Sequence, residues 1–338
     1  MARSEITIDL GALRRNVKHL VEVAGSSEVW AVVKANAYGH GAADCGDTAL
    51  GAGAKALCVA TVAEGLALRR ELPDPRIIVL GRSSNREVAQ ARDARLELVV
   101  SDDIPAEIPV HLKLDTGMGR WGMSELITPD HNVVGLMTHF ATADDDLDFV
   151  RTQLERFLAA TEPHRHLTRH VANSAALLRL PEARLDAVRC GIAIYGLSPF
   201  QRDPADDGLE PVLSWQSELA LVKQVQPGES AGYGRRFVAT EPTWIGIVPV
   251  GYADGFRRDL TGTTVLVADE PCHVIGTVSM DAFAVQLPGR LPQGTHVTLV
   301  GPGVPLEVHA RHAGTINYEL ATGIETGSGR ARRTLFYS

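Results

Sequence analysis

The chain has 338 residues, of which 45% are hydrophobic and 22% are charged, so an ordinary globular protein with a substantial core is expected. The formal net charge of −8 argues against a broad surface for nucleic acid or anionic membranes, and no basic run occurs together with an aromatic stripe. No apolar segment resembles a signal peptide or a membrane span, so we expect a cytoplasmic protein with no membrane partner, whose four scattered cysteines are thiols.

The first two thirds of the chain alternate between strand and helix patterns. Thr7–Leu10 is a possible first strand, and Asp9 is predicted to cap the helix Leu10–Val23. The strands predicted next are Glu28–Lys34, Ala56–Thr61, Arg76–Gly81, Leu96–Ser101, Val110–Asp115, Val133–Phe140, His166–Asn173 and Ala187–Ala193. Helix patterns between them include Val62–Leu72, Asn85–Ala94 and Asp146–Thr161. This alternation is typical of parallel strands with crossover helices, and about eight such strands indicate an α/β fold of the closed (β/α)₈ TIM-barrel type.

Two connections in this region are short for a barrel. Ser101–Pro109 and Trp121–Asn132 leave little room for a full helix. We therefore expect some barrel helices to be trimmed, and an open, doubly wound sheet is the alternative on pattern alone.

After Pro211 the pattern changes to strands separated by Gly and Pro turns. The predicted strands are Trp215–Val225, Trp244–Val250, Thr263–Val267, His273–Met280, Ala282–Leu287 and Thr295–Val300. They predict a C-terminal, mostly antiparallel β domain over residues 209–338, and Gln201–Gly208 is the expected linker. The barrel domain would then span residues 1–208, with the first strand as a segment that could join the C-terminal domain instead.

Lys34 ends a predicted buried strand in the sequence AVVKANAYGHG, and Tyr38 follows within one turn. Active sites of barrels gather at the carboxyl ends of the strands, where a desolvated lysine has a lowered pKa and can act as a nucleophile or base. A lysine that merely extends from a strand end to solvent is the alternative.

The segment from Lys113 to Gly122 is rich in glycine. Gly117, Gly119 and Gly122 have the spacing of a dinucleotide-binding fingerprint, but the following helix pattern is stunted and the motif lies in mid-chain. The better interpretation is a turn that directs Arg120 towards an anion, and a purely structural turn is the alternative.

Three later strand ends carry polar or small residues. His139 follows one strand, Asn173 and Ser174 follow the next, and Arg189 and Gly191 lie at the last. Barrels often bind phosphate on the loops after strands 7 and 8, so these residues are candidates for a phosphate site. A helix-capping serine and a packed core glycine are the alternatives.

In the β domain, Tyr252 lies between glycines in PVGYADG and is either exposed to a cleft or half-buried in a turn. His164, His166 and His170 are close in sequence, but no Cys or carboxylate partner has a spacing that would complete a zinc site.

Together these segments resemble the alanine racemase family over nearly the whole chain and in the same order. The matching blocks are AVVKANAYGHG, HLKLDTGMGRWG, THFATAD, ANSAA, RCGIAIYG, GYADG, GTVSMD and TINYE. The resemblance implies a barrel that holds pyridoxal 5'-phosphate, a β domain, and a homodimer with shared active sites. It also implies interconversion of L-alanine and D-alanine, which supplies D-alanine for peptidoglycan synthesis.

The same resemblance implies roles for individual residues. Lys34 is similar to the lysine that forms the Schiff base and acts as one base, and Tyr252 to the opposite-face base, contributed by the partner subunit. Cofactor contacts are implied for Tyr38, His139, Asn173, Ser174, Arg189, Gly191, Ile192 and Tyr318. Arg120, Met280 and Asp281 match the region that binds the substrate carboxylate. Lys113 matches a lysine that is carbamylated in some relatives, and His170 matches one that extends the hydrogen-bond chain of Arg189.

These roles are chemically coherent. Racemisation needs a base on one face of the α-carbon and an acid on the other. Because an arginine keeps its proton (pKa above ~12), Arg189 would leave the pyridine nitrogen unprotonated, unlike the acidic partner found in related barrel decarboxylases. The competing hypotheses are a broader-specificity racemase acting on serine, a nicotinamide-dependent oxidoreductase, and a non-catalytic cofactor carrier.

Overall fold

The computed structural model describes residues 3–326 and 329–338. Two compact units are present. The first part of the chain, from Leu13 to Phe200 with Pro204–Glu210, forms one unit, which we call the barrel unit. The second, the β unit, combines the N-terminal segment up to Ala12, Gln201–Asp203 and everything from Pro211 onwards.

Eight parallel strands close the barrel unit into a ring, which confirms the predicted fold class. They are β2 (Glu28–Val32), β3 (Ala56–Val59), β4 (Ile77–Val79), β5 (Glu97–Val100), β6 (Val110–Lys113), β7 (Val133–Met137), β8 (Thr168–Asn173) and β9 (Ala187–Cys190). The ring closes because β2 pairs with β3 on one side and with β9 on the other. A closed parallel barrel has no free sheet edge, and its strands are almost entirely buried.

The barrel helices are α1 (Leu10–Ala24), the short segment α2 (Lys34–Tyr38), α3 (Ala42–Gly51), α4 (Val62–Glu71), α5 (Asn85–Asp93), α6 (Leu147–Thr161) and α7 (Ser174–Arg179). Capping boxes begin two of them, Thr61 with Glu64 at α4 and Ser84 with Glu87 at α5. As expected from their length, the described connections from β5 to β6 and from β6 to β7 contain no helix.

The β unit contains a nine-stranded sheet in the order β11-β14-β17-β16-β15-β18-β10-β1-β19. Its strands are β1 (Ser4–Asp9), β10 (Leu213–Glu218), β11 (Leu221–Val225), β14 (Thr243–Val248), β15 (Thr264–Val267), β16 (Glu270–Ile275), β17 (Phe283–Leu287), β18 (His296–Val300) and β19 (Ala331–Phe336). A small hairpin, β12 (Ser230–Ala231) with β13 (Phe237–Val238), lies apart from it. Two helices, α8 (Leu306–Ala313) and α9 (Asn317–Gly323), complete the unit.

The structure corrects the predicted secondary structure of this unit in several places. The single strand predicted over Trp215–Val225 is two strands, because the chain turns at Leu219–Ala220 between β10 and β11. The helices α8 and α9 and the strand β19 were not predicted, and each of them is short.

The N-terminal strand β1 belongs to the β unit. It pairs in the antiparallel direction with β10 and in the parallel direction with β19. The Asp9 side chain then accepts hydrogen bonds from the backbone N–H groups of Gly11 and Ala12, which confirms the predicted cap. Among the described residues, no helix is both long and apolar enough to cross a membrane.

Candidate active site

Lys34 follows the carboxyl end of β2 and opens a segment with a rare backbone conformation. The four residues Ala35–Tyr38 all have positive φ, between 51° and 55°. A left-handed turn of non-glycine residues costs about 1–2 kcal/mol per residue, so the surrounding contacts must hold it in place. Sequence patterns predicted a strand end here and did not indicate this conformation.

Three sets of hydrogen bonds hold the turn. The backbone N–H of Ala37 donates to the carbonyl of Val33 at 2.9 Å. The Asn36 side-chain oxygen accepts from the N–H of Ala42 at 3.0 Å, and Oε1 of Glu64 accepts from the N–H of Ala35 at 2.8 Å. Oε2 of Glu64 accepts from the N–H groups of Ala60 and Thr61 at the start of α4. One carboxylate therefore joins the capping box of α4 to the residue directly after Lys34.

The amine of Lys34 lies in a site that disfavours its charged form. Burial lowers its pKa, the nearby positive charge of Arg120 lowers it further, and the Glu64 carboxylate opposes both effects. A lowered pKa increases the neutral fraction of the amine near neutral pH, and the neutral amine is the form that acts as nucleophile or base.

Tyr38, Ser174 and Gly191 meet on one side of the barrel mouth. A Cβ atom added to Gly191 would lie 2.5 Å from the phenol oxygen of Tyr38, so only glycine leaves room for that hydroxyl. Oγ of Ser174 accepts a hydrogen bond of 3.0 Å from the N–H of Gly191. Burial raises the pKa of Tyr38, which keeps its phenol protonated and able to donate. Ile192 then begins a short 3-10 turn.

Asn173, and not Ser174, caps the helix α7. The cap of α7 is Asn173, whose side-chain oxygen accepts from the N–H of Ala176 at 3.0 Å. Ser174 is the first residue inside the helix, and its hydroxyl faces the loop that begins at Gly191. The hydroxyl is therefore not consumed by capping.

Arg189 lies in β9 with its side chain only 3% exposed. One terminal nitrogen donates to Nδ1 of His170 at 2.8 Å and to the carbonyl of the same residue at 2.6 Å. The other donates to the carbonyls of Thr138 and Val171, and lies 3.3 Å from Nδ1 of His139. Among the described residues none accepts a hydrogen bond from Nε, so this N–H is left for a ligand.

Burial determines the protonation states of Arg189 and of the two histidines beside it. Burial lowers the pKa of the Arg189 guanidinium to about 10, which still leaves it protonated at neutral pH. Burial and the charge of Arg189 hold the pKa of His139 well below its usual range. Burial and the neighbouring His111 do the same for His170. The cluster therefore contains one fixed cation between neutral imidazoles.

Lys113 and Arg120 lie on the β6 side of the barrel mouth. Burial, followed by the positive charges of Arg189 and Arg120, lowers the pKa of Lys113 to about 8. Nζ of Lys113 lies 5.7 Å and Cζ of Arg120 lies 5.6 Å from the ring centroid of Trp121. Both cations thus lie near the same aromatic ring.

The glycine-rich turn that carries Arg120 is anchored by Asp115. The Asp115 carboxylate accepts hydrogen bonds from the N–H groups of Gly117, Met118 and Gly119. A Cβ on Gly122 would lie 2.6 Å from the backbone nitrogen of Asp115, and its φ is +141°. In the described chain the next element after this turn is the strand β7 and not a helix. The turn therefore lacks the helix N-terminus that a dinucleotide site requires.

In the β unit, Tyr252, Met280 and Asp281 lie on two loops that are hydrogen-bonded to each other. The N–H of Tyr252 donates to the carbonyl of Ser279, and the N–H of Ala253 to that of Met280, both at 3.1 Å. Gly251 permits this approach, because a Cβ there would lie 2.2 Å from the Ser279 carbonyl oxygen. Tyr252 and Met280 are 44% and 52% exposed.

Arg330 joins the same two loops through their carboxylates. Its Nε lies 2.7 Å from Oδ1 of Asp254, and one terminal nitrogen lies 2.6 Å from Oδ1 of Asp281. Tyr318 is half-buried on the separate helix α9. The structure thus brings three of the four site residues predicted in this unit into one loop pair.

The remaining site residues predicted in the barrel unit collect near the carboxyl ends of its strands. Sequence reasoning missed Glu64, although the capping-box spacing Thr61-Val62-Ala63-Glu64 was visible as a helix start. Of the three histidines weighed for zinc, His170 belongs to the Arg189 cluster instead, and the described residues include no metal-binding group of His, Cys, Asp and Glu.

Comparisons with known proteins agree with this architecture. The family model described as "Alanine racemase, N-terminal domain" matches residues 8–199, and "Alanine racemase, C-terminal domain" matches residues 212–334. The alanine racemase of Geobacillus stearothermophilus is 41% identical over 93% of this chain and 89% of that protein. That of Listeria monocytogenes serotype 1/2a (strain 10403S) is 38% identical over 93% and 94%.

Solved structures give the same result. The alanine racemase from D-cycloserine producing Streptomyces lavendulae has a TM-score of 0.92 at 34% identity and covers 100% of this chain and 98% of its own. The enzyme from Streptomyces coelicolor A3(2) has a TM-score of 0.90 at 39% identity, with 98% and 97% covered.

Proposed function

The chain belongs to the alanine racemase family, and on this premise we propose which of its residues hold the cofactor and move the proton. Members of the family are pyridoxal-phosphate-dependent isomerases, and this chain interconverts L-alanine and D-alanine. The comparisons support this activity rather than the broader-specificity racemase or the nicotinamide-dependent oxidoreductase.

The residues of the barrel unit fit pyridoxal 5'-phosphate. The observation that carries the assignment is the Arg189 guanidinium, which is fully engaged at both terminal nitrogens and keeps only Nε–H for a ligand. That donor suits the pyridine nitrogen. The depressed pKa of Lys34 suits a covalent bond to the aldehyde. The hydroxyls of Tyr38 and Ser174, beside the glycine clearance at Gly191, suit the phosphate.

The other predicted contacts complete this site in our proposal. His139 and Asn173 flank the cofactor, Ile192 offers its N–H to the phosphate, and Tyr318 of the β unit contributes a further phenol. When bound, the cofactor supplies an electron sink for the negative charge that develops on the α-carbon.

The proton transfers are assigned to two groups of this chain. Lys34 Nζ removes or returns the α-proton on one face, and Tyr252 Oη does so on the other. Arg120, with the Met280–Asp281 loop, holds the substrate carboxylate, and Lys113 supports Arg120 either as an amine or after carbamylation. Because Arg189 keeps its proton, it donates a hydrogen bond without protonating the ring nitrogen.

We further propose a homodimer in which Tyr252 completes the barrel site of a second copy. The family resemblance and the exposure of Tyr252 and Met280 support this arrangement. A cytoplasmic location is consistent with the cysteines, since all four are buried and form no disulfide among the described residues. Supply of D-alanine for peptidoglycan is the corresponding cellular role.

The direct test is borohydride reduction of the purified protein incubated with pyridoxal phosphate, followed by mass spectrometry of its peptides. The expected result is one cofactor adduct, located on Lys34, together with a visible absorbance band that disappears on reduction. An adduct located on another lysine, in a protein that racemises alanine, would overturn the assignment.

A further inference from the structure

A chain of hydrogen bonds leads from Arg189 through the barrel interior to the opposite end of the strands. Nδ1 of His170 lies 2.8 Å from the Arg189 terminal nitrogen. Nε2 of His170 lies 2.9 Å from Nδ1 of His111. Nε2 of His111 in turn lies 2.8 Å from Oε2 of Glu97 at the amino end of β5. Four strands, β9, β8, β6 and β5, thus contribute one residue each.

The direction of every bond in this chain is determined by its two ends. A guanidinium only donates hydrogen bonds, and an ionised carboxylate only accepts them. Each neutral imidazole between them has one donor and one acceptor nitrogen. His170 must therefore accept at Nδ1 and donate at Nε2, and His111 must do the same towards Glu97.

The ionisation states agree with this direction. Burial lowers the pKa of His111, and burial together with His111 lowers that of His170 well below its usual range, so both rings are neutral. Although burial opposes the shift, hydrogen bonds from His111 and Arg76 lower the pKa of Glu97 to about 2. Arg76 makes two parallel bonds to this carboxylate, at 2.6 and 2.8 Å.

The barrel interior is shaped to accommodate the two imidazoles. A Cβ atom on Gly135 of β7 would lie 2.1 Å from Nδ1 of His111, where the bond to His170 is made. The Trp30 ring lies 4.5 Å from the His170 ring and 5.7 Å from the His111 ring, between centroids. Gly135 therefore leaves space for His111, and Trp30 packs near both rings.

We propose that Glu97 is a positioning residue for Arg189, acting through His111 and His170. Its carboxylate selects the tautomer in which Nδ1 of His170 accepts a hydrogen bond. Without an acceptor at Glu97, no hydrogen bond favours the proton of His111 on Nε2 over Nδ1. His170 could then carry a proton on Nδ1, and two donors would face each other at Arg189. The guanidinium would move, and its Nε–H with it. The inference rests on the proposed role of Arg189 towards the cofactor.

Glu97→Met tests this by removing the acceptor at similar side-chain volume. We would measure ¹⁵N chemical shifts in histidine-labelled, cofactor-free protein, with His111→Gln and His170→Gln used for assignment. Wild type is expected to show both rings protonated at Nε2 only, and Glu97→Met to show mixed tautomers. Glu97→Gln keeps one carbonyl oxygen and should restore part of the wild-type signal. Glu107→Gln, which changes an exposed carboxylate after the same strand, is the matched control.

In the loaded enzyme, Glu97→Met should lower kcat about 10–100-fold, the range found when the outer partner of a ligating histidine is removed. KM for alanine should stay unchanged, because none of the three hydrogen-bonded residues Glu97, His111 and His170 is assigned to the substrate. If Glu97→Met does not fold, Gly135→Ala provides the second variant. It keeps all four residues of the chain and displaces His111, and it should show the same mixed tautomers.

Wild-type His170 protonated at Nδ1 would overturn the proposal, and so would unchanged tautomers with unchanged kcat in both variants. Failure of the cofactor assignment looks different, because wild type would then show the expected tautomers but no adduct at Lys34.

Discussion

Gly191 and Tyr38 are matched in shape, since a methyl group on the glycine would lie 2.5 Å from the tyrosine hydroxyl. We therefore expect Gly191→Ala to displace Tyr38 and to weaken binding of pyridoxal phosphate. Overpacking of this kind costs about 1–3 kcal/mol, which corresponds to about a 5- to 150-fold higher Kd. Titration of the apoprotein with the cofactor measures the change. Gly289→Ala is the control, because no atom lies within 4 Å of its added Cβ.

Lys34→Ala should abolish both the covalent cofactor adduct and racemisation. It removes the amine that we assign to the bond with the cofactor aldehyde and to proton transfer on one face of the α-carbon. The measurements are borohydride reduction with peptide mass spectrometry and the loss of optical rotation of L-alanine. Lys55→Ala removes an exposed lysine and should retain both. A reducible adduct with normal activity in the Lys34 variant would contradict the assignment.

Lys113 should make stability depend on pH in the alkaline range. Its pKa is about 8 when folded and near the ordinary lysine value of 10.5 when unfolded. Between these values the unfolded chain binds the extra proton, so the free energy of unfolding should rise with pH through this window. Below about 8 both states are protonated and the contribution is constant.

Urea unfolding at several pH values compares wild type with Lys113→Met. The stability difference should grow in favour of wild type from about pH 8 upwards. Lys55→Met, which removes an exposed lysine, should keep the wild-type slope. Parallel curves for wild type and Lys113→Met would show that this amine is not responsible.

Arg189→Glu should raise the ratio of transamination to racemisation, because a carboxyl group can support a protonated pyridine nitrogen, whereas a guanidinium cannot. The variant should also lose stability, since the carbonyls of Thr138 and Val171 lose their donor. Pyruvate formation relative to alanine racemisation measures the ratio. Arg189→Lys keeps the positive charge and should keep the ratio low, so an equal rise in both variants would contradict the argument.

Tyr252→Phe should separate the two directions of proton exchange. It removes one phenolic O–H, and general acid–base groups contribute about 10²–10⁴-fold, so racemisation should fall by that order. By family resemblance Lys34 faces the α-proton of D-alanine. Exchange of that proton into deuterated water should therefore survive better than exchange from L-alanine. Equal loss from both enantiomers would contradict the two-base assignment.

The same variant tests the shared site. Mixed and re-equilibrated Lys34→Ala and Tyr252→Phe chains should recover activity, because a heterodimer would hold one intact site and one doubly altered site. No recovery, with wild-type chains surviving the same treatment, would exclude a site built from two copies.

Local patterns were sufficient for the class of fold, and they indicated several candidate site residues. The eight barrel strands follow from alternating apolar runs and helical periods, which depend on neighbouring residues alone. Lys34, Ser174 and Arg189 were recognisable as candidates because each lies at or just after such a strand, and parallel strands bring their carboxyl ends together. Arg120 was a candidate because it lies in the glycine-rich turn that follows a strand. Family blocks then added Tyr252 and the Met280–Asp281 pair.

Hydrogen bonds between residues that are distant in sequence depend on closure of the barrel. Glu97 and Arg189 are 92 positions apart in sequence (189 minus 97), and no local pattern connects them, yet two buried imidazoles join them inside the ring. Glu64 was visible as part of a helix cap, but its bond to Ala35 exists only because α4 packs beside the end of β2. Hydrogen-bond partners across a barrel depend on strand register and on the space left by residues such as Gly135. Both are properties of the packed ring and not of any one segment.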